Sequence, residues 1–67
     1  MNEMYRDYLI IAFGRFDELT GQWQAVADIS RTPSFNTLIG FTGYKAREEA
    51  ERAAHKLATD WIDNRLK

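Results

Sequence analysis

The chain has no cysteine, one proline and a single histidine, and neither sign of charge predominates. Without cysteine there are no disulfides, no thiolate metal ligands and no thiol nucleophile. Ten acidic residues against nine basic ones give a formal net charge of −1. That balance removes the basic excess on which nucleic-acid and anionic-lipid binding usually rests. The longest uninterrupted apolar run is Tyr8 to Phe13, well short of the ~20 residues that span a bilayer. The opening residues mix charges and lack the basic-then-apolar order of a secretory signal. Small secreted domains lean on disulfides that this chain cannot form, so the cytoplasm is the expected compartment.

What is present is a core. Of 67 residues, 45% are hydrophobic, with two Trp, three Tyr and four Phe among them. That suffices for one folded domain and excludes a two-lobed enzyme.

Tyr8 to Phe16 is aromatic and β-branched and runs into the turn chemistry of Asp17-Glu18-Leu19-Thr20-Gly21, which predicts a strand over 8–16. Gln22 to Arg31 alternates, with Trp23, Ala25, Ala27 and Ile29 on one face, the period of a half-buried strand. Thr32-Pro33-Ser34 breaks the run, and a third strand is predicted over 35–42. From Ala46 the period becomes helical. Ala46, Ala50, Ala54, Leu57, Ala58, Trp61 and Ile62 form one stripe, predicting a helix over about 46–66. The expected fold is α+β: a three-stranded antiparallel meander with one C-terminal helix packed on one face.

A five-residue loop from Asp17 to Gly21 would set Phe16 opposite Gln22 and Phe13 opposite Ala25. A three-residue loop from Thr32 to Ser34 would set Ala27 opposite Ile39. Both registers keep odd residues together, so Leu9, Ile11, Phe13 and Phe41 are expected to join the core.

Little points to catalysis. Glu51 precedes His55 by one helical turn, but without a further ligand His55 reads as a solvated helix-face residue. Ser30 and Ser34 lack the glycine flanks of a nucleophile elbow. Phe41-Thr42-Gly43-Tyr44-Lys45 reads as a plain strand-to-helix connection rather than an anion site. No catalytic, cofactor or metal residue is assigned.

The passage Phe41-Thr42-Gly43-Tyr44-Lys45-Ala46-Arg47-Glu48-Glu49-Ala50, continuing to Trp61-Ile62-Asp63, resembles small bacterial β-β-β-α domains, the HicB-like domains among them. In those a third strand leads into a helix that opens with an acidic pair and alanine. The resemblance implies a partner-binding module without catalysis, often oligomeric. The proline-glycine-cysteine segment typical of them is missing here, so no functional residue is carried over.

One conflict in the pattern points to a surface. The first predicted strand is apolar on both faces, with Leu9, Ile11 and Phe13 expected inward and Tyr8, Ile10 and Ala12 outward. A single helix covers one face only. The expected function is therefore a non-enzymatic protein-interaction module. It would form a homodimer through the open face and edge of that strand, burying Tyr8, Ile10, Ala12, Val26 and Leu38. A different protein covering the same patch is the rival occupant. The alternative function is nucleic-acid binding through Arg6, Arg15, Arg31, Lys45 and Arg47, with Tyr5, Tyr8, Phe35 and Tyr44 as stacking platforms.

Overall fold

In the computed structural model, which describes residues 2–32 and 35–66, an antiparallel sheet lies under one C-terminal helix. Strands β1 (Asn2–Tyr5), β2 (Tyr8–Asp17), β3 (Gln22–Arg31) and β4 (Phe35–Tyr44) neighbour one another in chain order, and α1 is Arg47–Arg65. The three expected strands and the helix are there, each ending within two residues of its expected limits. Met1, Pro33 and Ser34 of the expected second loop, and Lys67 lie outside the described residues.

The sheet has four strands rather than three. Arg6 and Asp7 take φ of 50° and 71° between β1 and β2. Left-handed values at both central residues are the geometry of a two-residue hairpin turn, which Asn-Gly usually announces. Arg-Asp gives no such signal, and four residues are too few to show a period.

The β2–β3 register also differs from expectation, by one residue. Asp17 belongs to the strand and pairs with Gln22. Its carbonyl accepts from the Gly21 N–H at 2.8 Å, and its Oδ1 accepts from the Leu19 N–H at 3.0 Å. Gly21, at φ 69°, makes this tighter reversal possible. A loop one residue shorter turns the whole strand over. Tyr8, Ile10 and Ala12 therefore face the helix and are buried, whereas Leu9, Ile11 and Phe13 face away. The β3–β4 register agrees with expectation, with Arg31 opposite Phe35 and Ala27 opposite Ile39.

The core lies between the helix and the middle of the sheet. Tyr8, Ile10, Ala12, Ala25, Ala27 and Ile29 meet Ala50, Ala54, Ala58 and Ile62 of α1. Alanines on both sides let the helix come close, and β2 completes the fit with Gly14. A Cβ built there would stand 2.9 Å from the Arg47 carbonyl oxygen and 3.2 Å from the Ala50 Cβ. Trp23 and Trp61 are half-buried at the margins of this core. Phe13 and Phe41, expected inside it, are 37% and 59% exposed.

No side chain caps the helix start at Ala46. Glu48 and Glu49 in its first turn and Arg65 in its last suit the helix dipole instead. No helix among the described residues is long and apolar enough to cross a membrane.

Candidate functional site

The face of the sheet turned away from the helix carries four cross-strand rows. Met4, Leu9, Ser30 and Asn36 form one; Asn2, Ile11, Asp28 and Leu38 form the next. Phe13, Val26 and Gly40 follow, then Arg15, Gln24 and Thr42. Four polar groups of this face pair with one another. Arg15 donates twice to the Gln24 Oε1, at 3.0 and 2.7 Å, and Asn36 donates to Asp28 at 2.8 Å.

The apolar groups are left facing solvent. Met4 and Leu38 are each 66% exposed, Leu9 and Ile11 are half-buried, and Val26 is buried among its neighbours. Gly40 contributes no side chain beside Val26, so Phe13, Val26 and Leu38 surround a shallow hollow of about 180 Å³. A wider hollow of about 480 Å³ opens between Met4, Leu9, Ser30, Arg31 and Asn36. Asp28 stands between Ile11 and Leu38, so apolar surface lies on either side of one charged residue, and exposed apolar area of this kind is a usual feature of protein contact sites.

Of the expected interface residues, Val26 and Leu38 lie on this open face. Tyr8, Ile10 and Ala12 do not, because the register turns them under the helix. The strand they belong to is not an edge either, since β1 covers it. Met4, Leu9, Ile11 and Phe13 take their place. The sequence held one signal for this. An alanine-faced helix needs small partners, and Ala12 and Gly14 share a parity that Ile11 and Phe13 do not.

The expected nucleic-acid contacts are not gathered together. Arg6 sits in the β1–β2 turn, 3.4 Å from the Asp63 carboxylate. Arg31 stands over the Tyr8 ring at 5.3 Å from its centroid, at the same end of the sheet. Arg15, Lys45 and Arg47 lie toward the other end, and Arg15 is tied to Gln24. The aromatic rings are occupied as well. Tyr8 meets Phe35 and Trp61 edge-on, Phe35 and Trp61 stack at 5.7 Å, and Arg65 covers Phe35 at 4.6 Å. These contacts make a clamp at the helix C-terminus rather than a free stacking platform.

His55 is not a solvated helix-face residue. It is half-buried, and its Nε2 meets the Glu3 carboxylate of β1. No group of three His, Cys, Asp or Glu side chains able to hold a metal ion occurs among the described residues. The His55–Glu3 contact joins the edge strand β1 to the helix. No protein-family model, curated protein or solved structure matches the chain, so the likeness to HicB-like domains rests on the start of its helix alone.

Proposed function

We propose that the chain is a non-enzymatic protein-interaction module that self-associates as a homodimer through the open face of its sheet. The observation that carries this reading is the apolar field of Met4, Leu9, Ile11, Phe13 and Leu38 around Val26, on the face the single helix cannot cover. A second copy suits that field because a domain of this size gains core by sharing one. Arg15 is bonded to Gln24 and Asp28 to Asn36, so each of these two charged groups already has a hydrogen-bond partner on this face. The nucleic-acid reading draws less support, since its basic residues are split between two ends and its rings are covered. The absence of cysteine keeps the cytoplasm as the compartment of this proposal.

Sedimentation equilibrium of the wild type and of Ile11→Lys tests the contact. Ile11 is central to the open face and outside the helix-side core, so the variant is expected to fold and to lose the face contact. A wild type that stays monomeric at high micromolar concentration refutes the proposal.

A further inference from the structure

Two arginines stand at the helix C-terminus without an acid to pair with them. Arg31 closes β3 and Arg65 closes α1. The Arg31 guanidinium lies over the Tyr8 ring, 5.3 Å from its centroid, and that of Arg65 lies over Phe35 at 4.6 Å and Trp61 at 5.4 Å. The three rings pair with one another, so both cations rest on one aromatic floor. Stacking of this kind orients a guanidinium and leaves its N–H donors unspent. Among the described residues neither arginine forms an ion pair, and the nearby Asp63 carboxylate is taken by Tyr5 and Arg6. Tyr8 adds a third donor. The residue is 2% exposed, yet among the described residues its hydroxyl donates to no carboxylate or carbonyl. The two side chains that reach this hydroxyl are Arg31 and Arg65, and together they hold its pKa below 10.0 against the effect of burial.

We propose that Arg31, Arg65 and the Tyr8 hydroxyl form a binding site for the phosphate monoester group of a small molecule. Two cations without acidic partners match the charge of about −1.5 to −2 that such a group carries at neutral pH. Donors arriving from β2, β3 and α1 suit the several oxygens of a tetrahedral group better than the two of a planar carboxylate. A nucleic-acid strand spreads single charges along its length and calls for a run of cations, whereas the basic residues of this chain are split between two ends of the sheet. Asp7 lines the same hollow as Arg31 and opposes an anion there. The site does not depend on self-association, since Tyr8, Phe35 and Trp61 belong to the helix side of the sheet.

Inorganic phosphate, titrated into the full chain at constant ionic strength, is the probe, and the arginine Nε–H resonances report where it binds. Arg31 and Arg65 are expected to shift together and saturably at low millimolar phosphate, with Arg52 unmoved. Acetate should bind at least about tenfold more weakly. Phosphate should also move the tyrosinate step of Tyr8 to higher pH, because a dianion beside a phenol opposes its ionisation. Arg31→Gln and Arg65→Gln should each weaken binding by about tenfold or more, the worth of one hydrogen bond between charged groups. Asp7→Asn should tighten binding by removing an opposing charge, and Lys45→Gln at the other end of the sheet should leave it unchanged. The wild-type shift of the Tyr8 step keeps the test decisive where a glutamine variant fails to fold. Shifts that do not saturate, or a Tyr8 step that stays in place, overturn the site. So does a Lys45→Gln protein weakened as much as Arg31→Gln, which would show diffuse charge instead. Tighter binding of a single-stranded oligonucleotide that requires Lys45 overturns the small-molecule assignment.

Discussion

The Tyr5 hydroxyl donates to both oxygens of the Asp63 carboxylate, at 2.9 and 3.1 Å, and joins the first strand to the last turns of the helix. Glu3, two residues earlier on the same strand, meets His55. A four-residue edge strand has too few ladder bonds to hold itself, so these side chains hold it. Tyr5→Phe is expected to speed amide exchange in β1 while leaving the β3 amides unchanged. Uniform acceleration across all four strands would show instead that the contact supports the whole fold.

Tyr5 and Tyr8 are expected to ionise in opposite directions from their common reference. The hydrogen bond to Asp63, followed by burial, raises Tyr5 above the usual tyrosine value of 10.0. Burial also pushes Tyr8 upward, but hydrogen bonding and charge from Arg31 and Arg65 outweigh it and hold Tyr8 below 10.0. Tyr8 therefore favours folding only at alkaline pH, and that contribution fades as pH falls through its native value. Tyr5 favours folding below 10.0, and its contribution fades as pH rises through its higher native value. Tyrosinate absorbance of the wild type, Tyr5→Phe and Tyr8→Phe should show the earlier step missing only in Tyr8→Phe. An earlier step missing from Tyr5→Phe contradicts the assignment.

The β2 register makes neighbouring isoleucines unequal. Ile10 and Ile62 are fully buried in the core between sheet and helix, whereas Ile11 is half-buried on the open face. Ile10→Ala and Ile62→Ala should each cost about 2–5 kcal/mol. Ile11→Ala should cost about 1 kcal/mol, because its methyl groups stay partly wet in the folded state. Urea unfolding at a concentration where the chain is monomeric measures all three. Equal costs for Ile10 and Ile11 would refute the register.

The strands and helix were legible because their periods differ and proline or turn residues bound them. The register of β2 was not. Leu9, Ile11 and Phe13 are as apolar as Tyr8, Ile10 and Ala12, so hydrophobicity gives both parities the same score. A single residue of loop length decides between them, and that length is set by two hydrogen bonds to Asp17. Val26 and Leu38 could be placed on the open face because their strands alternate cleanly enough to have one apolar side. β1 stayed hidden because what fixes it is not local. Its partners His55 and Asp63 lie 52 and 58 residues away in the chain.

Size, rather than polarity, fixes where the helix starts on the sheet. Gly14 lies under the Arg47 backbone and Ala50 with no room for a side chain. Gly14→Val should destabilise the fold by about 1–3 kcal/mol, the range for overpacking a close contact. Thermal unfolding checks this, and a variant as stable as the wild type would place the helix further from β2.

The β1–β2 turn stores strain that glycine can remove. Asp7 holds φ at 71°, where a Cβ crowds the following carbonyl oxygen. Aspartate tolerates this region better than most residues because its short side chain can bond locally, and glycine tolerates it best. Arg6 shares the strain at φ 50°, but it also stands 3.4 Å from Asp63, so changing it mixes two effects. Asp7 is the cleaner site. Asp7→Gly is expected to stabilise the chain by about 0.5–1 kcal/mol, the gain in the turn exceeding the added freedom of the unfolded chain. Asp7→Ala should destabilise it by a similar amount, since alanine keeps the Cβ and loses the local acceptor. Denaturant midpoints with unchanged slopes give the order glycine, aspartate, alanine, and slower β1 amide exchange in Asp7→Gly locates the gain. If alanine matches glycine, backbone strain does not govern the turn, and the pinning of β1 by Glu3 and Tyr5 sets its conformation instead.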